Sequence, residues 1–192
     1  MMDQIDLGAF ELGKRDGLPD ALLVLLEEYP HEIWAEHPGF DGLVRFWLDR
    51  HLMFRQLLGL LTSEAEKRLD KKTDPMLFKA HVARLGSTLV GELHGHHGIE
   101  DAHYFPVLAR KDPRITRGFD ILDRDHHTLD DLLSRYVEAA NRAIQADPGS
   151  TREIGRFLEE TRGLEAMLSR HLIDEEELVV PIILKHGAGG LS

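Results

Sequence analysis

Cysteine is absent from the 192 residues, which removes disulfides, thiolate metal sites and cysteine nucleophiles. Imidazole and carboxylate are then the strong metal ligands left to the chain. Basic residues are also short: 23 Lys and Arg stand against 34 Asp and Glu, a formal net charge of -11. Without a concentrated basic patch, that balance repels phosphate backbones and anionic membrane surfaces, so neither nucleic acid nor membrane is an expected partner. Long apolar runs are missing as well. The longest near the start, Leu22 to Leu26, is far too short to span a bilayer, and no basic stretch introduces it as a leader. The expected compartment is the cytoplasm, with which the lack of cysteine agrees.

Strictly alternating segments of the kind that make strands are scarce. Past residue 40 the apolar residues recur at spacings of three and four, which predicts an all-α chain. Helices are expected at roughly 41–69, 75–109, 118–146 and 151–185, of matched length and with connections short enough for an antiparallel up-down-up-down four-helix bundle. Asp74-Pro75 reads as an N-cap with proline at the first helical position, and Ser150 with Glu153 reads as a capping box. Asp147-Pro148-Gly149 stops the third helix and Gly187 the fourth. The bundle is expected to be one domain over residues 41–187, with 188–192 a loose glycine-rich tail. Residues 1–40 form an N-terminal arm with one short amphipathic helix, Leu18 to Tyr29, closed by Pro30. The arm and the acidic surface are candidates for a homodimer contact or a protein partner.

Twelve histidines are many for this length, and their positions matter more than their number. His96-x-x-x-Glu100 falls on the second helix and His171-x-x-x-Glu175 on the fourth, and a spacing of four sets each pair on one helical face. Each pair is followed by a proline at the same offset, Pro106 and Pro181. The 75-residue offset between the two pairs also carries His51 on the first helix onto His126 on the third, so the chain contains a pseudo-repeat. Helical geometry independently prefers His126 over His127, because Leu122, Leu129, Leu133 and Tyr136 share its face while His127 points away. Trp47, Phe54 and Leu58 likewise share the face of His51. Both single histidines are expected to point inward.

A bundle interior of neutral imidazoles hydrogen-bonded to glutamates is the plain alternative. Burying two carboxylates costs several kcal/mol apiece unless cations compensate them, and neutral imidazoles do not. The matched set of four histidines and two glutamates therefore points to two bound metal ions. Imidazole with carboxylate suits iron, and equally admits zinc or manganese.

These residues resemble the hemerythrin-like, or HHE cation-binding, family over about residues 41–187, and the Glu100-Asp101 and Phe105-Pro106 that follow His96 are similar to its second-helix signature. The resemblance implies a non-haem pair of iron ions joined by an oxo or hydroxo bridge, with His51, His96, Glu100, His126, His171 and Glu175 as ligands. In the oxygen carriers of that family a fifth histidine follows the third-helix one by four residues, where this chain has Asp130. Their fourth-helix carboxylate corresponds to Glu176, so Glu175 is chosen by the internal repeat and Glu176 held in reserve.

Two classes of function follow. The expected one is a carrier or sensor that binds oxygen, nitric oxide or peroxide. The alternative is an enzyme that disproportionates or reduces hydrogen peroxide, with Tyr104 and His103 as the candidate proton-handling residues. The two halves differ beside the ligands: Glu92, His97, His103 and Tyr104 stand where the repeat places Met167, Leu172, Leu178 and Val179. Of these, His97, like the nearby His94, is read as solvated or helix-pairing.

Overall fold

A computed structural model gives the fold, and its described residues are 10–40 and 42–191. The first nine residues of the arm, Asp41 at the expected start of the first long helix, and Ser192 of the tail lie outside them. Among the described residues all regular structure is helical. The arm carries a 3-10 turn, Asp20–Leu22, then α1, Val24–Glu28, and α2, His31–Trp34. Four long helices follow, packed as a bundle. They are α3, Leu43–Leu69; α4, Pro75–Ile99, continued by a π-helical turn, Glu100–Tyr104, into α5, Phe105–Lys111; α6, Thr116–Gln145; and α7, Arg152–His186.

Three local expectations need correction. The arm helix is broken into the 3-10 turn and α1, and α2 starts after Pro30, whose fixed φ and missing N–H suit a helix start. The second long helix is interrupted by the π turn, where the N–H of Phe105 reaches back five residues to the carbonyl of Glu100. Pro106 follows directly, and having no N–H it could not return a bond to the carbonyl of Ala102 in an α-helical frame. Lastly, α7 starts at Arg152, and Ser150 sits in the preceding turn with its N–H on the carbonyl of Asp147 at 2.9 Å. Asp74 caps α4 as expected, its Oδ1 accepting from the N–H groups of Met76 and Leu77 at 2.8 and 3.1 Å.

The chain divides into two compact units, one of Met1–Arg50, His97–His127 and Ser169–Ser192, the other of His51–His96 and Thr128–Leu168. Each long helical stretch contributes a segment to both. In the first unit the arm supplies much of the core: Leu18, Leu22, Leu25 and Trp34 are buried with Trp47, Phe105, Phe119 and Ile182. Glu28 ties α1 down by accepting from Arg114 and from Lys185. The tail, expected to be loose, lays Leu191 into the same core, and Lys111 Nζ donates to the Gly189 carbonyl at 2.9 Å.

In the second unit the four helical segments pack around Phe78, Phe157 and Tyr136, with ring centroids 6.3 Å apart for the first pair and 5.7 Å for Tyr136 and Phe157. Gly86 is fixed by this packing, since a Cβ there would lie 2.8 Å from the hydroxyl of Tyr136. Polar contacts join its segments: His81 Nδ1 meets a Glu64 oxygen at 2.8 Å, and Glu66 with Arg162 and Glu160 with Arg135 form ion pairs.

Candidate metal centre

Within the first unit, the end of α4 with its continuation, α6 and α7 bring five expected and unexpected ligand-type residues together. Glu100, His126, His171 and Glu175 are all at most 2% exposed, and His97 is 5% exposed. His126 Nε2 lies 3.6 Å from a Glu100 oxygen and His171 Nε2 lies 3.5 Å from a Glu175 oxygen. Both nitrogens are buried and lack a hydrogen-bond partner, because these separations are too long for a good N–H···O bond. They suit two ligands of one ion, since atoms about 2.1 Å from a metal and roughly 110° apart stand about 3.4 Å from each other. The donor set, imidazole with carboxylate and no thiolate, fits iron, zinc or manganese.

The glutamates sit close enough to disturb each other. Burial pushes Glu100 well above the usual carboxylate range, and the like charge of Glu175 adds to the effect. Glu175 accepts a hydrogen bond from Trp47 Nε1, so the tryptophan that shares His51's helical face also positions this carboxylate. A divalent or trivalent ion would relieve the repulsion that the apolar surroundings magnify.

The other nitrogen of each ring is held by a carboxylate, which fixes which nitrogen faces the glutamates. His126 Nδ1 meets Asp101 Oδ1 at 2.8 Å, and His171 Nδ1 meets Asp125 Oδ2 at 3.2 Å. Burial lowers the pKa of His171 and Asp125 only partly offsets this, which keeps the ring neutral and its Nε2 available. Asp125 is bound in turn by Arg15 from the arm, which also donates to Asp174 at 2.8 Å. Burial alone would raise Asp125, but the hydrogen bonds from Arg15 and His171 outweigh it and leave its carboxyl below the ordinary value. The arm thus supplies a buried cation two bonds away from a candidate ligand.

In the second unit His51, fully buried, and His96, 9% exposed, face each other with Nε2 atoms 3.1 Å apart. That distance fits an N–H···N hydrogen bond and equally fits adjacent positions on one six-coordinate ion, about 3.0 Å at right angles. Phe54 packs against His96 with ring centroids 5.3 Å apart.

Beside this geometry stands a match of residues 42–183 to the model of the Hemerythrin HHE cation binding domain. The chain belongs to the hemerythrin HHE cation-binding family. No curated protein and no solved structure matches it. As an HHE domain it carries buried histidine and glutamate clusters able to bind metal. None of its helices among the described residues is long and apolar enough to cross a membrane.

The HHE domain sorts the remaining residues clearly. His127 is exposed while His126 is buried, as the helical face requires, and Glu176 is half-buried where Glu175 is wholly buried. Asp130 and His94 are exposed. His103 is exposed and Tyr104 half-buried, and both line a cavity of about 360 Å³ with Ile99, Val107, Gly190 and Leu191. The Tyr104 ring lies 4.9 Å from that of Trp47. His97 reverses its expectation: it is interior, stacked on His126 with ring centroids 4.0 Å apart and set edge-on to His171 at 5.5 Å. The repeat held the signal, for its equivalent, Leu172, is fully buried.

Proposed function

We propose that this HHE domain holds two iron ions through His51, His96, Glu100, His126, His171 and Glu175, and that the pair binds dioxygen, nitric oxide or peroxide as a carrier or sensor. The observation that carries the reading is the pair of buried Nε2 atoms, on His126 and His171, set 3.6 and 3.5 Å from buried glutamate oxygens. His96 and Glu100 are one helical turn apart in sequence, as are His171 and Glu175, so each pair presents two ligands from one stretch of helix. Two iron ions supply one-electron redox steps at coordination positions that the side chains leave open. The chain's own part is to exclude water, to orient the two imidazoles through Asp101 and Asp125, and to neutralise the ions with Glu100 and Glu175.

A second reading, peroxide disproportionation, has the cavity beside Tyr104 and His103 in its favour. Two hydrogen peroxide molecules would give two waters and one dioxygen, with the Tyr104 hydroxyl and the His103 imidazole moving protons between the cavity and the site.

The test begins with metal analysis and the optical spectrum of aerobically purified protein. About two irons per chain and near-ultraviolet charge-transfer absorption are expected, and a fully stable metal-free protein would reject the proposal. Glu100→Ala and Glu175→Ala should each empty the site, whereas loss of metal in Glu176→Ala alone would move the fourth-helix ligand by one residue. Stopped-flow mixing of the reduced protein with oxygen, and oxygen release from added peroxide, separate the two readings. A reversible adduct without peroxide turnover supports the carrier or sensor. Turnover that falls in Tyr104→Phe or His103→Leu supports the enzyme.

A further inference from the structure

We infer that the groove between α4 and α6 in the second unit binds a small, neutral, mostly apolar molecule with one hydrogen-bond acceptor, to which the Tyr136 hydroxyl donates. The groove has a volume of about 420 Å³ and shares no residue with the candidate metal centre. Sites that bury small organic molecules span about 300–1,000 Å³, so it is large enough. It exists because Ala83, Gly86 and Gly91 on α4 and Ala140 on α6 are too short to fill the gap between their helices. Short side chains alone would leave only a dent. What makes it a site is its floor. Tyr136 starts on α6 and its hydroxyl ends beside Gly86 on α4, where a Cβ would stand 2.8 Å from the oxygen, so the ring crosses beneath the groove from one helix to the other. That hydroxyl is buried and has no hydrogen-bond partner. Burial also pushes its pKa above the ordinary value, so at neutral pH it keeps its proton. A buried donor without an acceptor carries an uncompensated desolvation cost. An acceptor pressed between the helices at Gly86, where α4 offers no side chain to obstruct it, would relieve that cost.

The lining sets the class of ligand. None of the residues around the groove is charged, although charged residues make up 30% of the chain. An ionic group would therefore lose water and gain no counter-charge. The Ser87 hydroxyl is spent on the Ala83 carbonyl at 2.7 Å, and Asn141 stands at the exposed rim, where water serves it. Val90 and Ile144 present hydrocarbon. One buried donor in apolar walls matches a ketone, ester or ether better than a sugar, an amine or an acid.

Acetophenone, ethylbenzene and benzoate are close in shape and differ in acceptor and in charge, and each is titrated into the ¹⁵N-labelled full chain as purified. Acetophenone should shift the amide resonances of residues 82–91 and 136–144 saturably. Tyr136→Phe keeps the ring packed on Phe157 and removes only the hydroxyl. It should weaken acetophenone about tenfold and change ethylbenzene less than about twofold. Gly91→Leu, at a position where an added Cβ meets open space, should block both neutral probes and keep the fold. Benzoate should bind more weakly than acetophenone. Acetophenone that shifts no groove amide, an equal loss of both neutral probes in Tyr136→Phe, or benzoate bound as tightly would each overturn the inference. Groove resonances that move with protein concentration alone would overturn it too, in favour of a contact between two copies of the chain.

Discussion

His126 and His171 present the same face to the centre and differ in what stands behind them. Each sets Nε2 about one ligand spacing from a buried glutamate, at 3.6 and 3.5 Å. Behind His126 is Asp101, whose side chain is 38% exposed and open to water. Behind His171 is Asp125, 3% exposed and gripped by the buried guanidinium of Arg15, which also binds Asp174. Equal geometry at the inner edge therefore rests on unequal support. A water-facing carboxylate can be replaced by solvent when it is lost, whereas a buried one leaves its partners uncompensated.

The largest effect should come from Arg15→Leu. Asp125 would remain buried without its cation and Asp174 would keep only Arg170, so stability measured by urea unfolding should fall by about 3–5 kcal/mol. Replacing all three groups with neutral ones, Arg15→Met with Asp125→Asn and Asp174→Asn, should recover much of that loss and still weaken metal retention through His171. If the triple variant held metal as firmly as the wild type, the support behind His171 would be irrelevant to the centre. Asp101→Asn should cost under about 1 kcal/mol, because this carboxylate is open to water and the amide oxygen can still accept from His126 Nδ1, and should quicken metal loss less than Asp125→Asn does.

An acid titration sharpens the contrast from the arm's other anchor. Asp112 is held down to about 2 by its hydrogen bond to Arg114, from an ordinary value of 3.8. With its folded pKa below its unfolded one, it contributes stability that is complete above pH 4 and is lost as pH falls toward 2. The melting-temperature gap between wild type and Asp112→Asn should accordingly close between pH 4 and 2, while the Arg15→Leu deficit at neutral pH is untouched by that substitution. The smallest effect belongs to His127→Ala, which is exposed and should change stability by less than about 0.5 kcal/mol and leave metal content alone.

Much of this was legible in the chain itself. The four long helices, the burial of Trp47, Phe54, Leu58 and Tyr136, and the choice of His126 over His127 all follow from 3.6-residue periodicity, which the packed helices obey. The repeat placed Glu175 inside, and the structure gives it no exposure. What local pattern could not supply was long-range. Arg15 lies 110 residues from Asp125 and 159 from Asp174, and no periodicity links an arm to a helix interior at that distance. His97 was misread because a polar residue beside a ligand was assigned to solvent, although the repeat's own leucine at that place argued for the interior. The π turn was hidden for another reason: Pro106 and Pro181 match in sequence, yet only the first is preceded by a π turn, and the second lies inside continuous α7.

That turn also explains why the two halves of the repeat differ beyond their glutamates. Past Glu175 the next interior residues are Leu178 and Val179, three and four places on, while past Glu100 the next fully interior residue is Phe105, five places on. The π turn acts as a phase shift of one residue in the helical screw. It rotates His103 and Tyr104 out of the slots that the leucine and valine fill, and gives Phe105 the place beneath the glutamate. One surplus peptide unit thus converts what would be core into the polar wall of a cavity, without any change in the spacing of His96 and Glu100 that precedes it.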